Sequence, residues 1–173
     1  MNIERRPPVR ELVRTLGDGT RLNIRAGGTI LLLLTRPASI DEASIRQRLS
    51  APSPVDLRPF SPGQWLLVSD APLDQVALAL ELKDEIDIVD QSQGRVRLEL
   101  TGPNVEQMLA HATALDLHAG LAASTITLLG HIGVHITRMA PDLFELIVMR
   151  SFAESLVDEI TRMCRLPQLK GMN

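Results

Sequence analysis

The chain has 173 residues, 45% hydrophobic and 23% charged, with a formal net charge of −3. That balance suits one globular domain or two very small units sharing a core, and it offers no concentrated basic face for nucleic acid. One tryptophan, three phenylalanines and no tyrosine argue against a chain that stacks a large planar ligand on its own side chains. Cys164 is the only cysteine, which excludes a disulfide framework or a thiolate metal cluster. The start, MNIERRPPVRELV, lacks the apolar core of a signal peptide. The longest aliphatic run, Ile30 to Leu34, is far short of the ~20 residues that span a bilayer. A cytoplasmic protein with no membrane contact is expected.

Residues 1–19 read as an N-terminal arm, with Arg5-Arg6-Pro7-Pro8 at the front and Gly17-Asp18-Gly19 at the end. It is either a solvated tail or a segment that lies on a partner, turning Arg5, Arg6, Arg10 and Arg14 to acidic surface. Leu22 and Ile24 alternate in a short strand, and 29–35 (TILLLLT) reads as a strand buried on both faces. Ser39 and Glu42 have capping-box spacing for a helix through Ile45 and Leu49. Residues 50–63 hold four prolines and read as a loop. A strand over 64–68 follows, then a helix with Leu73, Val76, Ala77 and Leu80 on its apolar face.

The most informative stretch is 86–106, IDIVDQSQGRVRLELTGPNVE. Val96, Leu98 and Leu100 alternate with Arg95, Arg97 and Glu99, the pattern of a half-buried strand. Thr101-Gly102-Pro103 closes it and opens a helix, with the proline placed where its missing N–H costs nothing. Met108, Leu109 and Ala112 then supply an apolar stripe. Strands over 126–138 and 143–149 form a hairpin around Ala140-Pro141-Asp142, and residues 150–163 read as an amphipathic helix. The plan repeats. LLLLTRP (31–37) lines up with RVRLELTGP (95–103), and 66–80 with 146–160 at an offset of 80 residues, setting Val76 on Leu156 and Leu80 on Ile160. Such an internal repeat points to an α+β fold of two ferredoxin-like strand–helix halves with antiparallel sheets, over 20–85 and 86–165, with 166–173 as a tail.

Candidate chemistry is sparse. His111, His118, His131 and His135 lie within 25 residues, but the β-branched, glycine-containing sequence around His131 and His135 favours a strand over a metal-binding helix face. Asp84, Glu85, Asp87 and Asp90 fall in a turn, where acidic residues cap and solvate. Cys164 reads as a small apolar residue. No nucleophile elbow, P-loop or dinucleotide fingerprint is present, so no catalytic, cofactor-binding or metal-ligating residue is expected. Arg95 and Arg97 share a strand face and, with Arg138 and Arg150, could meet a partner's carboxylates, or could pair with Glu99 and Glu145 on an exposed sheet. Trp65 is a core residue or an interface anchor. These five are the candidate subunit-interface residues.

Taken in order, PGQWLLV (62–68), VDQSQGRVRLELTGPN (89–104), LDLH (115–118), TLLGHIGV (127–134) and ELIVMRSFAESLVDEI (145–160) resemble the gamma subunits of heterotetrameric sarcosine oxidases. Those belong to the folate-binding aminomethyltransferase superfamily, and the resemblance implies the first two domains of that fold. It also implies an assembly: an alpha subunit with a dinucleotide-binding domain for NAD and an aminomethyltransferase-like half using tetrahydrofolate, a beta subunit holding FAD, FMN between them, and a small zinc-binding delta subunit. Such a gamma chain would carry no cofactor and would support alpha as its main contact. The aspartate that activates folate in the T-protein has no counterpart in Gly133-Val134-His135-Ile136, and both the third, barrel-like domain and the KGCY-type signature are absent. A non-catalytic subunit is therefore expected. The alternatives are a freestanding folate-binding protein of the same fold or an independent methyl-transferring enzyme.

Overall fold

The computed structural model describes residues 13–17, 19–35, 40–49, 54–82, 85–117 and 124–165. The elements are β1 (Val13–Thr15), β2 (Arg21–Arg25), β3 (Thr29–Thr35), α1 (Glu42–Arg48), β4 (Asp56–Ser61), β5 (Gln64–Ser69), α2 (Gln75–Glu81), β6 (Ile86–Asp90), β7 (Arg95–Thr101), α3 (Val105–Ala110), β8 (Ser124–Leu129), β9 (Ile132–Ala140), β10 (Leu143–Met149), a 3-10 turn (Arg150–Phe152) and α4 (Ala153–Met163). They form two compact units. One holds residues 26–95 with 124–126; the other holds the chain up to residue 25, 96–123 and 127 onward.

The first unit is a four-stranded antiparallel sheet in the order β4-β5-β3-β6. Its chain order, β3-α1-β4-β5-α2-β6, with that strand order is the ferredoxin-like βαββαβ arrangement. Leu31, Leu33, Leu57 and Leu67 face Ile45 of α1 and Leu78 of α2 in one core, closed by Leu82 and Ile86. On β3 Leu31 and Leu33 are buried on one face and Ile30 on the other, while Leu32 and Leu34 are half-buried. Asp41 caps α1, accepting from the Ser44 N–H at 2.9 Å; Ser39, the expected cap, lies outside the described residues. The proline-rich loop is partly a strand. β4 runs at the sheet edge with Pro59 opposite Trp65 and a register shift beside it, and an edge is where a missing N–H is tolerated.

The second unit is a six-stranded sheet in the order β1-β2-β7-β10-β9-β8. Its βαββα run is β7, α3, β9, β10 and α4, with β8 added at one edge. The fourth strand position is filled by β2, antiparallel to β7 with Leu22 opposite Leu100 and Ile24 opposite Leu98. The core joins those residues to Val105, Met108 and Leu109 of α3, Ile136 of β9, Phe144, Leu146 and Val148 of β10, and Leu156 and Ile160 of α4. The division therefore does not fall at residue 85. The apolar face of β2 completes the six-stranded core, and Ile86 of β6 completes the four-stranded one.

Two local expectations also shift. Pro103 stands before the N-cap Asn104 rather than inside α3. Gly102 makes the turn with φ +153, and a Cβ there would meet the Thr20 Cα at 3.2 Å. The strand expected over 126–138 is two strands, broken at Gly130 (φ +59) and His131.

Candidate functional site

The arginines expected at an interface are largely taken up within the chain. Arg97 is 7% exposed and Glu145 1%. Its Nε and Nη2 both donate to Glu145 Oε1, at 2.7 and 2.6 Å. A guanidinium so buried needs such a partner, because an isolated charge out of water is strongly unfavourable. Glu99, two residues along β7, accepts from Asn23 Nδ2 at 3.0 Å and pairs with Arg25 Nη1 at 3.2 Å, both on β2. Arg95 is half-buried, lies 5.1 Å over the Phe60 ring and donates from Nε to Gln91 Oε1 at 3.3 Å; burial lowers its pKa. Arg95 and Arg97 share a strand parity but not an environment, so they form no open row.

Arg138 on β9 holds neighbouring segments together. Its Nη1 donates to the Leu117 carbonyl at 2.7 Å, and its Nη2 donates to Glu106 Oε2 at 2.6 Å and to the Pro141 carbonyl at 3.2 Å. Its guanidinium also lies 5.5 Å over Phe144. Arg150 opens the 3-10 turn and is half-buried. Trp65 on β5, opposite Leu33, is half-buried against the four-stranded core. It borders a cavity of about 450 Å³ lined also by Thr35, Ile40, Asp41, Glu42, Pro62 and Gly63. Asp41 and Glu42 there serve α1 through the cap and through the Glu42–Arg46 ion pair at 2.9 Å.

The remaining polar residues disperse. His131 is exposed in the β8–β9 turn, His135 is buried on β9, and His111 is exposed at the end of α3; His118 lies outside the described residues. Among the described residues no three His, Cys, Asp or Glu side chains come together to hold a metal. Glu85 pairs with Arg48. Asp90 accepts from the Ser92 N–H at 2.8 Å and from Gln75 Nε2 at 2.9 Å, and hydrogen bonds from Ser92 and then Gln75 hold its carboxyl below the ordinary value. Asp84 is outside the described residues. Cys164 is 8% exposed and sits 3.0 Å from Met108 Sδ. No helix among the described residues is long and apolar enough to cross a membrane.

The helix expected after β5 is present as α2, but the face expected inward, with Val76 and Leu80, points outward. The helix turns Leu78 into the core and leaves Val76 71% and Leu80 65% exposed, whereas Leu156 and Ile160, set opposite them by the 80-residue offset, are fully buried. The repeat holds in topology; the helix register does not. The stretch QVALALEL (75–82) carries apolar residues at helical spacing on two sides, and periodicity alone cannot choose between them.

A βαββαβ unit followed by a second one, completed by a strand from the start of the chain, is the architecture of aminomethyltransferase-like α+β proteins. The model for the sarcosine oxidase, gamma subunit family matches residues 38–160, across both units. The chain belongs to that family. Among solved structures it is similar to a chain of heterotetrameric sarcosine oxidase from Corynebacterium sp. U-96, in complex with pyrrole 2-carboxylate. That match has a TM-score of 0.76 at 21% identity and covers 92% of this chain and 94% of that one. It is also similar to the glycine cleavage system aminomethyltransferase T of Bartonella henselae, with a TM-score of 0.57 at 15% identity, over 80% of this chain and 44% of that longer one. A third likeness is to a putative C-terminal regulatory domain of aspartate kinase from Porphyromonas gingivalis (TM-score 0.52, 12% identity, 84% and 97% covered). At these identities the solved structures speak for the fold. No curated protein matches by sequence.

Proposed function

We propose that this chain is a non-catalytic gamma-type subunit of a flavin-dependent, cytoplasmic heterotetramer that oxidatively demethylates sarcosine or a related N-methyl amino acid. Its role is to stabilise the alpha subunit, its main contact, within an assembly that also includes beta and delta subunits. FAD, FMN, NAD and tetrahydrofolate belong to those partners. The observation that carries this reading is the family match running from residue 38 to residue 160. The dispersal of the described histidines and carboxylates supports a structural role, because acid–base or metal chemistry needs such groups convergent. Of the interface candidates, all but Arg97 keep partly open surface; with Arg138 committed to Glu106 and two carbonyls, Trp65, Arg95 and Arg150 are the residues of that set best suited to meet a partner.

The test is co-purification. The tagged chain is expressed alone and together with the products of its neighbouring genes, and mass and flavin absorbance are read. A yellow hetero-oligomer of near-equal subunits is expected, with the lone chain colourless. A monodisperse lone chain that ignores those neighbours would overturn the reading, and tetrahydrofolate titration of it would then test for a freestanding folate binder.

A further inference from the structure

The two units provide an internal control. α2 and α4 hold the same place, each following the third strand of its βαββαβ pattern. α4 turns Leu156, Val157 and Ile160 inward and presents Glu154, Ser155, Asp158 and Arg162 to water. α2 turns Leu78 inward and presents Val76, Ala77, Ala79 and Leu80. Val76 and Leu80, four residues apart, stand one above the other on a helix, with Ala77 beside them. A scattered exposed leucine needs no account, but a contiguous apolar face on a surface helix does.

Charge and length narrow the occupant. Asp74 and Glu81 stand at the two ends of α2, and Asp90 of β6 is hydrogen-bonded to Gln75 in its first turn. α2 itself carries no lysine or arginine. A second copy would bring the same carboxylates against each other, which opposes docking. Seven residues are also too few for the repeated seam that pairs identical helices. We propose that the Val76–Ala77–Leu80 face docks on a different chain, a partner subunit whose apolar surface is edged by arginine or lysine. This rests on the gamma-type subunit reading and assigns that subunit a contact face.

The experiment co-expresses the chain with the three other subunits and compares wild type, the double variant Val76→Asp/Leu80→Asp, and Ser155→Asp on the outward face of α4. All three positions are exposed. Wild type and Ser155→Asp should recover the yellow complex, while the double variant should lose at least tenfold of the co-purified partners. A photo-crosslinker placed at Leu80 in the otherwise wild-type chain should join it to a partner subunit, a readout that does not depend on how the double variant folds. Undiminished complex with the double variant, or equal loss with Ser155→Asp, overturns the assignment of this face and leaves the subunit reading standing. A wild-type chain that recovers no partner overturns both. A lone-chain dimer that Leu80→Asp splits makes a second copy the occupant, and the assignment falls.

Discussion

Arg97 places both Nε and Nη2 on one oxygen of Glu145, with both side chains almost wholly out of water. Their strands, β7 and β10, are adjacent in the six-stranded sheet. Removing either partner takes the nearest opposite charge away from a group held out of water. Arg97→Ala or Glu145→Ala should therefore each cost about 3–5 kcal/mol, whereas Arg97→Met/Glu145→Leu together should cost much less than the sum. A double-mutant cycle by urea unfolding reads this directly, and additive single effects would contradict it.

Asp90 makes stability depend on acid. Its folded pKa lies below the ordinary aspartate value because Ser92 and Gln75 donate to the carboxylate. A carboxylate with a depressed folded pKa stabilises the fold above its unfolded pKa, and that contribution disappears as pH falls through the folded value. Asp90→Ala should thus be less stable than wild type at neutral pH, with the gap closing below about pH 4. Melting points across pH 2–7 (roughly the span that brackets the titration) check it. A gap that widens in acid would be the wrong sign.

Asp74 caps α2 by accepting from the N–H groups of Val76 and Ala77, both at 3.0 Å. Asp74→Ala should cost about 1 kcal/mol and Asp74→Asn only a fraction of that, because the amide oxygen keeps the acceptor. Equal losses for the two variants in denaturant unfolding would place the effect in charge rather than in the cap.

Gly102 and Gly130 both sit at positive φ, but their surroundings differ. A Cβ on Gly102 meets the Thr20 backbone at 3.2 Å, while one on Gly130 meets the Glu159 carboxylate oxygen at 3.3 Å. A flexible side chain can move aside; a backbone atom in a sheet connection cannot. Gly130→Ala should cost about 1 kcal/mol, and Gly102→Ala nearer 3 kcal/mol. The order of their unfolding midpoints is the test.

The sequence made the inner strands readable. The alternation of Val96, Leu98 and Leu100 and the apolar run before Thr35 are local signals, and both became strands that feed a core. What escaped it was decided elsewhere in the chain. β4 tolerates Pro59 because it lies at an edge. The pairing of Leu22 with Leu100 joins residues far apart in sequence. The inward face of α2 was fixed by packing of Leu78 and Leu82, not by helical period. At the candidate interface, Glu145 was visible as a partner for the arginines, but not that the Arg97–Glu145 pair would be buried or that Glu106 would take up Arg138.

The place of β2 beside β7 sets an order of events during synthesis. Residues 26–95 can close their sheet as soon as β6 has emerged, because all four of its strands lie in that span. The strand made before them has only β1 beside it until Leu98 and Leu100 of β7 arrive on its other side. On a ribosome adding about 5–20 residues per second, β2 waits seconds with one edge and its apolar face uncovered. The β1–β2 pair, made before every other strand described, is among the last to be sheltered, and its exposure lasts until β7 has left the exit tunnel.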